Sequence, residues 1–134
     1  MRSIACAALL LAACIAGTVR AGAEADQIPA QFTNLQVLPK DITRANLVAM
    51  MRQFCFDLDV RCEHCHVGEG NDLSKFDFAS DARPAKATAR RMLAMVTAIN
   101  TDHLKGIGDP ATEPKVTCFT CHRGAAKPAG RPPR

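Results

Sequence analysis

The chain has 134 residues, of which 22% are charged, with a net charge of +4 and six Phe as its only aromatics. That length suits one small domain. A charge that small, and smaller still once Arg2 and Arg20 leave with a leader, gives no footing for nucleic acid or an acidic membrane surface. So few large side chains make a thin hydrophobic core, with room for something else to fill it.

The first stretch, "MRSIACAALLLAACIAGTVRAGAEA", has a basic start at Arg2, an apolar run over residues 4–19 and Ala21-Gly22-Ala23 ahead of Glu24. It reads as a signal peptide over residues 1–23, cleaved after Ala23, which sends the protein to the periplasm. The apolar run is shorter than the roughly 20 residues a membrane span needs. Anchoring by an uncleaved leader is the competing reading. Leu11-Ala12-Ala13-Cys14 also resembles a lipoprotein box, which would make Cys14 a lipidated first residue.

Residues 24–31 are polar and read as a flexible lead. Residues 32–38, "FTNLQVL", suit a short strand or an extended segment, stopped by Pro39. The next 16 or so residues repeat apolar positions at helical spacing behind Thr43, a natural N-cap. On a helical wheel Leu47, Met51, Phe54, Cys55 and Leu58 share a face, with Met51 central and Met50 towards the edge. A Gly- and Asp-rich loop runs to Pro84, which suits the first turn of a second helix over residues 84–100. Its apolar face runs through Met92, Val96 and Ile99, with Met92 central and Met95 to one side. Residues 105–115 form turns, and residues 125–134 make a basic, proline-rich tail expected to be disordered.

Two short stretches carry the chemistry: "RCEHCHVGEG" at residues 61–70 and "TCFTCHRGAA" at residues 117–126. The chain has only four His, yet one stands directly behind each Cys-x-x-Cys pair. A Cys₄ zinc site explains neither the wide gap between the pairs nor the trailing histidines. A thioredoxin-like redox pair needs a βαβ setting, and no such pattern is visible. Covalent attachment of c-type haem explains both features. Cysteines at i and i+3 lie on one side of a helical turn, able to form thioethers with two porphyrin vinyl groups. The next imidazole then meets the iron. In an exported protein the pairs also need an occupation, since free thiols there are oxidised or capped. The sequence therefore implies two haem c groups: one on Cys62 and Cys65 with His66 as axial ligand, one on Cys118 and Cys121 with His122.

The opposite axial position decides what the irons can do. A thioether there closes the site and favours electron transfer, whereas an open position admits small molecules. Both helices centre an apolar face on a methionine and each leads to a motif, so Met51 and Met92 are the distal candidates. Met50, Met95 and His103 are the alternates. His64, between the first two cysteines, reads as solvated, and Cys55 as a small packing residue. Arg90 and Arg91 read as a solvated face, with one of them available to a haem propionate. The acidic loop over residues 72–81 reads as facing solvent.

"LVAMMRQFCFDLDVRCEHCH", "ATARRMLAMVTAIN" and "KVTCFTCHRGAAKP" together resemble the cytochrome c subunit of photosynthetic reaction centres. They resemble still more its small exported relatives in non-photosynthetic bacteria. The likeness covers roughly residues 32–128. It implies a mainly α fold, a small multihaem c-type cytochrome whose helices pack around two covalently bound haems with long loops between. By position it matches Met51 and Met92 to distal ligands before the first and second motifs. Two departures stand out: the photosynthetic subunit carries four haems, so docking onto a reaction centre does not carry over, and it gives one haem a distal histidine from a remote segment.

The expectation is a dihaem domain over residues 32–124 that carries single electrons between a redox donor and acceptor. One of these could belong to a membrane-bound complex. No enzymatic step is implied. Haem propionates would make the loaded protein acidic, favouring partners with a basic face. The alternative is an open-site haem protein that binds a gas or reduces peroxide.

Overall fold

The structure is a computed structural model that describes residues 28–109 and 115–130. The expected leader at residues 1–23, Cys14, half of the 24–31 lead and the last four residues of the tail lie outside the described residues. The described chain is mainly helical, and it contains no strand. No described helix is long and apolar enough to cross a membrane.

Helix α1, Arg44–Leu58, begins where the sequence predicts. Thr43 Oγ1 accepts the Asn46 N–H at 3.2 Å, which satisfies one of the free donors of the first turn. Asp59 ends the helix in the left-handed region, at φ 50°, a conformation Asp tolerates better than most residues. Its N–H and that of Val60 both return to the Cys55 carbonyl. A 3₁₀ turn at Cys62–His64 follows at once.

Residues 67–83 then form a loop folded back on itself. Asp77 donates its N–H to the Val67 carbonyl at 2.8 Å, an isolated antiparallel bridge. A second 3₁₀ turn, Leu73–Lys75, is capped by Asp72. Phe76 is buried under this loop and stacks on Phe78, ring centroids 5.6 Å apart. Gly68 makes the packing possible: any Cβ there would run into the Phe76 ring.

Helix α2, Pro84–Ala98, has Pro84 in its first turn. It does not stop at residue 100 as an α-helix. It widens into a π-turn, Ile99–His103, closed by Leu104 N–H on the Ile99 carbonyl at 2.9 Å. Helix α3, Cys118–His122, is the second motif itself, and Thr117 and Thr120 cap its start reciprocally. It packs chiefly on α1 and more lightly on α2.

Residues 32–38 bend instead of forming a strand. Their partners are reached by side chains. Asn34 Nδ2 donates to the Ala79 carbonyl at 2.6 Å and to Asp81 Oδ1 at 2.9 Å, and Gln36 Nε2 donates to Asp81 Oδ2 at 3.3 Å. A backbone held by amide side chains does not need a ladder.

The core is as thin as the composition implies. Leu47, Val48 and Phe76 are its buried apolar residues, and no described side chain is fully enclosed. Large apolar side chains instead lie at the surface, among them Phe119, Phe56, Ile107, Met92 and Met95.

Candidate functional site

The two Cys-x-x-Cys-His motifs adopt different local structures. In the first, Cys62 opens the 3₁₀ turn, and its carbonyl accepts the N–H groups of Cys65, at 3.2 Å, and His66, at 2.9 Å. In the second, Cys118 and Cys121 are one turn apart on α3, and His122 is its last residue. Each arrangement puts both thiols on one side of a turn with the imidazole immediately beyond. Among the described residues no three of His, Cys, Asp and Glu converge as a metal centre, so the cysteine pairs are not drawn into a single Cys₄ cluster.

His66 is half-buried, with its ring edge-on to Phe78 at a centroid distance of 5.1 Å. Burial first, then the nearby Lys86 ammonium, lowers its pKa to about 4. The Phe78 backbone lies close enough to pull the other way, yet the buried Nδ1 meets no acceptor at hydrogen-bonding geometry. His66 is therefore a neutral imidazole near pH 7, the form that ligates metals.

His122 is held differently. Its Nδ1 lies 2.8 Å from the Ala125 carbonyl, which can only accept, so Nδ1 donates and Nε2 is the nitrogen left for a ligand role. A backbone acceptor on one ring nitrogen is the usual device for orienting a ligand histidine. Ala125, first residue of the tail, thus serves the motif. Gly124, at φ 76°, makes the turn between them and donates its N–H to the Asp57 carbonyl at 3.1 Å. From the other side Asn100 grips Val116 by two bonds of 2.8 Å, Nδ2 to its carbonyl and Oδ1 from its N–H. Both ends of the second motif are fixed by the helices around it.

Cys62, Cys65 and Cys118 are half-buried and Cys121 is exposed. Burial raises the pKa of Cys65 and of Cys118, with Cys62 adding to the first and Asp57 to the second. Burial, then the neighbouring Cys62, raise the pKa of the half-buried Cys55 thiol.

Met51 and Met50 on α1 are half-buried. Met92 and Met95 on α2 are 38% and 45% exposed. The face of α2 turned to the rest of the chain runs instead through Lys86, Arg90, Leu93, Val96 and Asn100. Met92 lies about a quarter-turn to its side. The wheel centred on Met92 because it weighted apolar residues and ignored a buried Lys and a half-buried Arg. His64 is exposed, and so is His103 at the end of the π-turn.

Sequence reasoning missed a charged cluster beside the first motif. Lys86 is 9% exposed, and its Nζ donates to the Phe78 and Ser80 carbonyls at 2.8 and 2.7 Å, with Asp81 Oδ1 at 3.4 Å. Arg90 is not part of a solvated face: its Nη2 meets Asp81 Oδ1 at 2.9 Å and the Asn34 carbonyl at 3.4 Å. The Arg90 contact, with help from Asn34 and Lys86, holds the Asp81 carboxyl well below the usual carboxylate range. Asp57 was missed as well. It is 5% exposed, and its Oδ1 accepts from Gln53 at 2.7 Å. The Gln-x-x-x-Asp spacing inside an apolar helix was the available signal.

These residues fit covalently held haem: paired thiols one turn apart, an imidazole directly behind each pair, the first kept neutral by burial and the second oriented through Nδ1 by a backbone carbonyl, and exposed apolar side chains such as Phe119.

Residues 8–131 match the family model described as photosynthetic reaction centre cytochrome C subunit. Among similar proteins, the photosynthetic reaction center cytochrome c subunit of Roseobacter denitrificans is 36% identical over 101 residues, covering 73% of this chain and 25% of that one. Its counterpart in Thermochromatium tepidum is 33% identical over 99 residues, covering 72% and 22%. That of Rubrivivax gelatinosus is 28% identical over 116 residues, covering 72% and 30%. The chain thus spans less than a third of the length of these curated relatives. No solved structure matches it.

Proposed function

The chain belongs to the family of photosynthetic reaction centre cytochrome c subunits, and from that premise we propose that it is an exported dihaem c-type cytochrome that carries single electrons in the periplasm. Haem iron supplies the one-electron ferric/ferrous couple; no substrate bond is made or broken. Cys62 and Cys65 tether the first group and Cys118 and Cys121 the second. His66 and His122 supply the proximal nitrogens. Met51 and Met92 would supply the thioethers that complete the two irons, which would exclude water and small ligands.

The observation that carries this reading is the state of the two imidazoles. One is neutral through burial, and the other is oriented by its Nδ1–H on the Ala125 carbonyl, which leaves Nε2 as the atom available to iron. The exposed apolar residues near the motifs supply the rest of the support, since a porphyrin face would cover them. Its electron partners are a redox protein donor and a redox protein acceptor, with a membrane-bound electron-transfer complex as one candidate; the relatives are named as subunits of photosynthetic reaction centers.

The deciding measurement is made on the protein purified from a host that exports and matures c-type cytochromes. The expected mass is the chain cleaved after Ala23 plus two haems, with pigment retained in acidified organic solvent. Ferric optical and paramagnetic resonance spectra should show both irons six-coordinate. The ferrous protein should not bind carbon monoxide rapidly, whereas Met51→Ala and Met92→Ala should each open one iron to it. A colourless product refutes the haem reading, and rapid carbon monoxide binding by the unaltered protein favours the open-site alternative.

A further inference from the structure

Resting on the dihaem reading, we propose that Lys86 and Asp57 are the residues that split the potentials of the two sites, Lys86 raising that of the first motif and Asp57 lowering that of the second, so that an electron received at the second site passes to the first.

Lys86 is an unusual residue to bury, because an ammonium loses hydration worth several kcal/mol unless partners replace it. Here two carbonyls and Asp81 do so. One of those carbonyls is that of Phe78, whose ring rests on His66. The cation is therefore one residue's width from the first proximal ligand. Cys65 and His66 both feel its charge. Arg90 acts in the same sense on His66, and Asp77 acts against it more weakly. Asp81 stands between the two cations and leaves the trio with one net positive charge.

The second motif has the opposite neighbour. The Gly124 N–H on the Asp57 carbonyl and the packing of α3 on α1 hold the motif against the end of α1. Asp57 is buried there, and its charge is the largest influence on Cys118 after burial itself.

Oxidation of an iron adds a positive charge. A nearby cation opposes that step and raises the potential, and a nearby carboxylate assists it and lowers the potential. At ~10 Å and an effective dielectric constant of ~20, one unit charge changes the ferrous-to-ferric ratio by about tenfold.

The test is a redox titration of the purified holoprotein, which should show two one-electron steps. Lys86→Met should lower the upper step by about tenfold in ratio, ~59 mV for a one-electron couple, and leave the lower step in place. Asp57→Asn should raise the lower step and leave the upper one. Asp81→Asn should raise the upper step, opposite in sign to Lys86→Met, which general loosening of the loop would not produce. If Lys86→Met fails to fold, Lys86→Gln keeps a donor for the carbonyls while removing the charge. An upper step unmoved by Lys86 variants, or moved in the same direction by Lys86 and Asp81 variants, overturns the proposal. So does a lower step that Asp57→Asn leaves unmoved. A mature mass without two haems defeats the dihaem reading itself, whereas two haems with unmoved potentials defeat this inference alone.

Discussion

The two Cys-x-x-Cys-His motifs carry the same residues and are built by opposite means. The first lies in a tight 3₁₀ turn beneath a loop, and its histidine is half-buried against Phe78 with charged groups sealed in behind it. The second is a regular turn of α-helix with its own capping box. Phe119 within it is 53% exposed, and the motif is braced at its edges by Asn100 and Asp57. Enclosure positions one motif and backbone clamps position the other. A short ligand signature therefore prescribes chemistry without prescribing the support beneath it.

The largest effect should come from removing what the motifs share. With Cys62, Cys65, Cys118 and Cys121 all replaced by Ala, the buried apolar residues left are Leu47, Val48 and Phe76. So small a core does not offset the conformational entropy of ordering roughly 100 residues. The variant should show no cooperative unfolding; a sharp transition with native helix content would end the idea that haem completes the core.

Next, the same substitution made in each region should separate them. Phe76→Ala empties a buried site and should cost about 3–5 kcal/mol. Phe119→Ala removes a surface ring and should stay within about 0.5 kcal/mol if side chains alone surround it. Denaturant unfolding of both variants checks this, and a large cost at Phe119 would place that ring under the second porphyrin.

Acid should act through the enclosed motif. The unfolded His66 imidazole titrates near ~6.5, and the folded one is held to about 4 by burial and Lys86. Below ~6.5 the unfolded state takes up a proton the folded state refuses. This contribution is whole above that pH and is lost progressively as pH falls towards 4. Unfolding midpoints measured across that window should decline, and a flat profile would mean that His66 is not sealed.

A more local effect belongs to the braced motif. Asn100→Ala strands the Val116 N–H and carbonyl, at a cost of about 1–3 kcal/mol. Amide exchange should quicken around residues 116–122 and not around residues 62–66. Equal quickening at both would show that the two motifs are mechanically coupled.

Much of this was legible from the residues. Thr43 and Pro84 mark helix starts because caps and fixed φ angles act locally, and they stand where α1 and α2 begin. What stayed hidden depends on where loops return. Nothing local to Lys86 says that the carbonyls of Phe78 and Ser80 will come to it, and without them a lysine belongs on a wet face. The same holds for Arg90 with Asp81 and for the Met92 stripe, whose wheel was drawn before those two cations claimed the inward arc. Residues 32–38 read as a possible strand from alternation alone, but Asn34 and Gln36 bond to a loop some 45 residues away. Cys55 looked like packing until the chain brought Cys62 beside it.

The π-turn at Ile99–His103 makes some changes of chain length far more harmful than others. It holds one residue beyond what an α-helical turn would take, so deleting any of its five would let the helix close normally and swing everything downstream about 100° around the axis. Asn100 would then lose the segment it grips, and the second imidazole would be re-aimed without any ligand having been altered. An insertion or deletion scan should find this short stretch intolerant, although it contains neither motif.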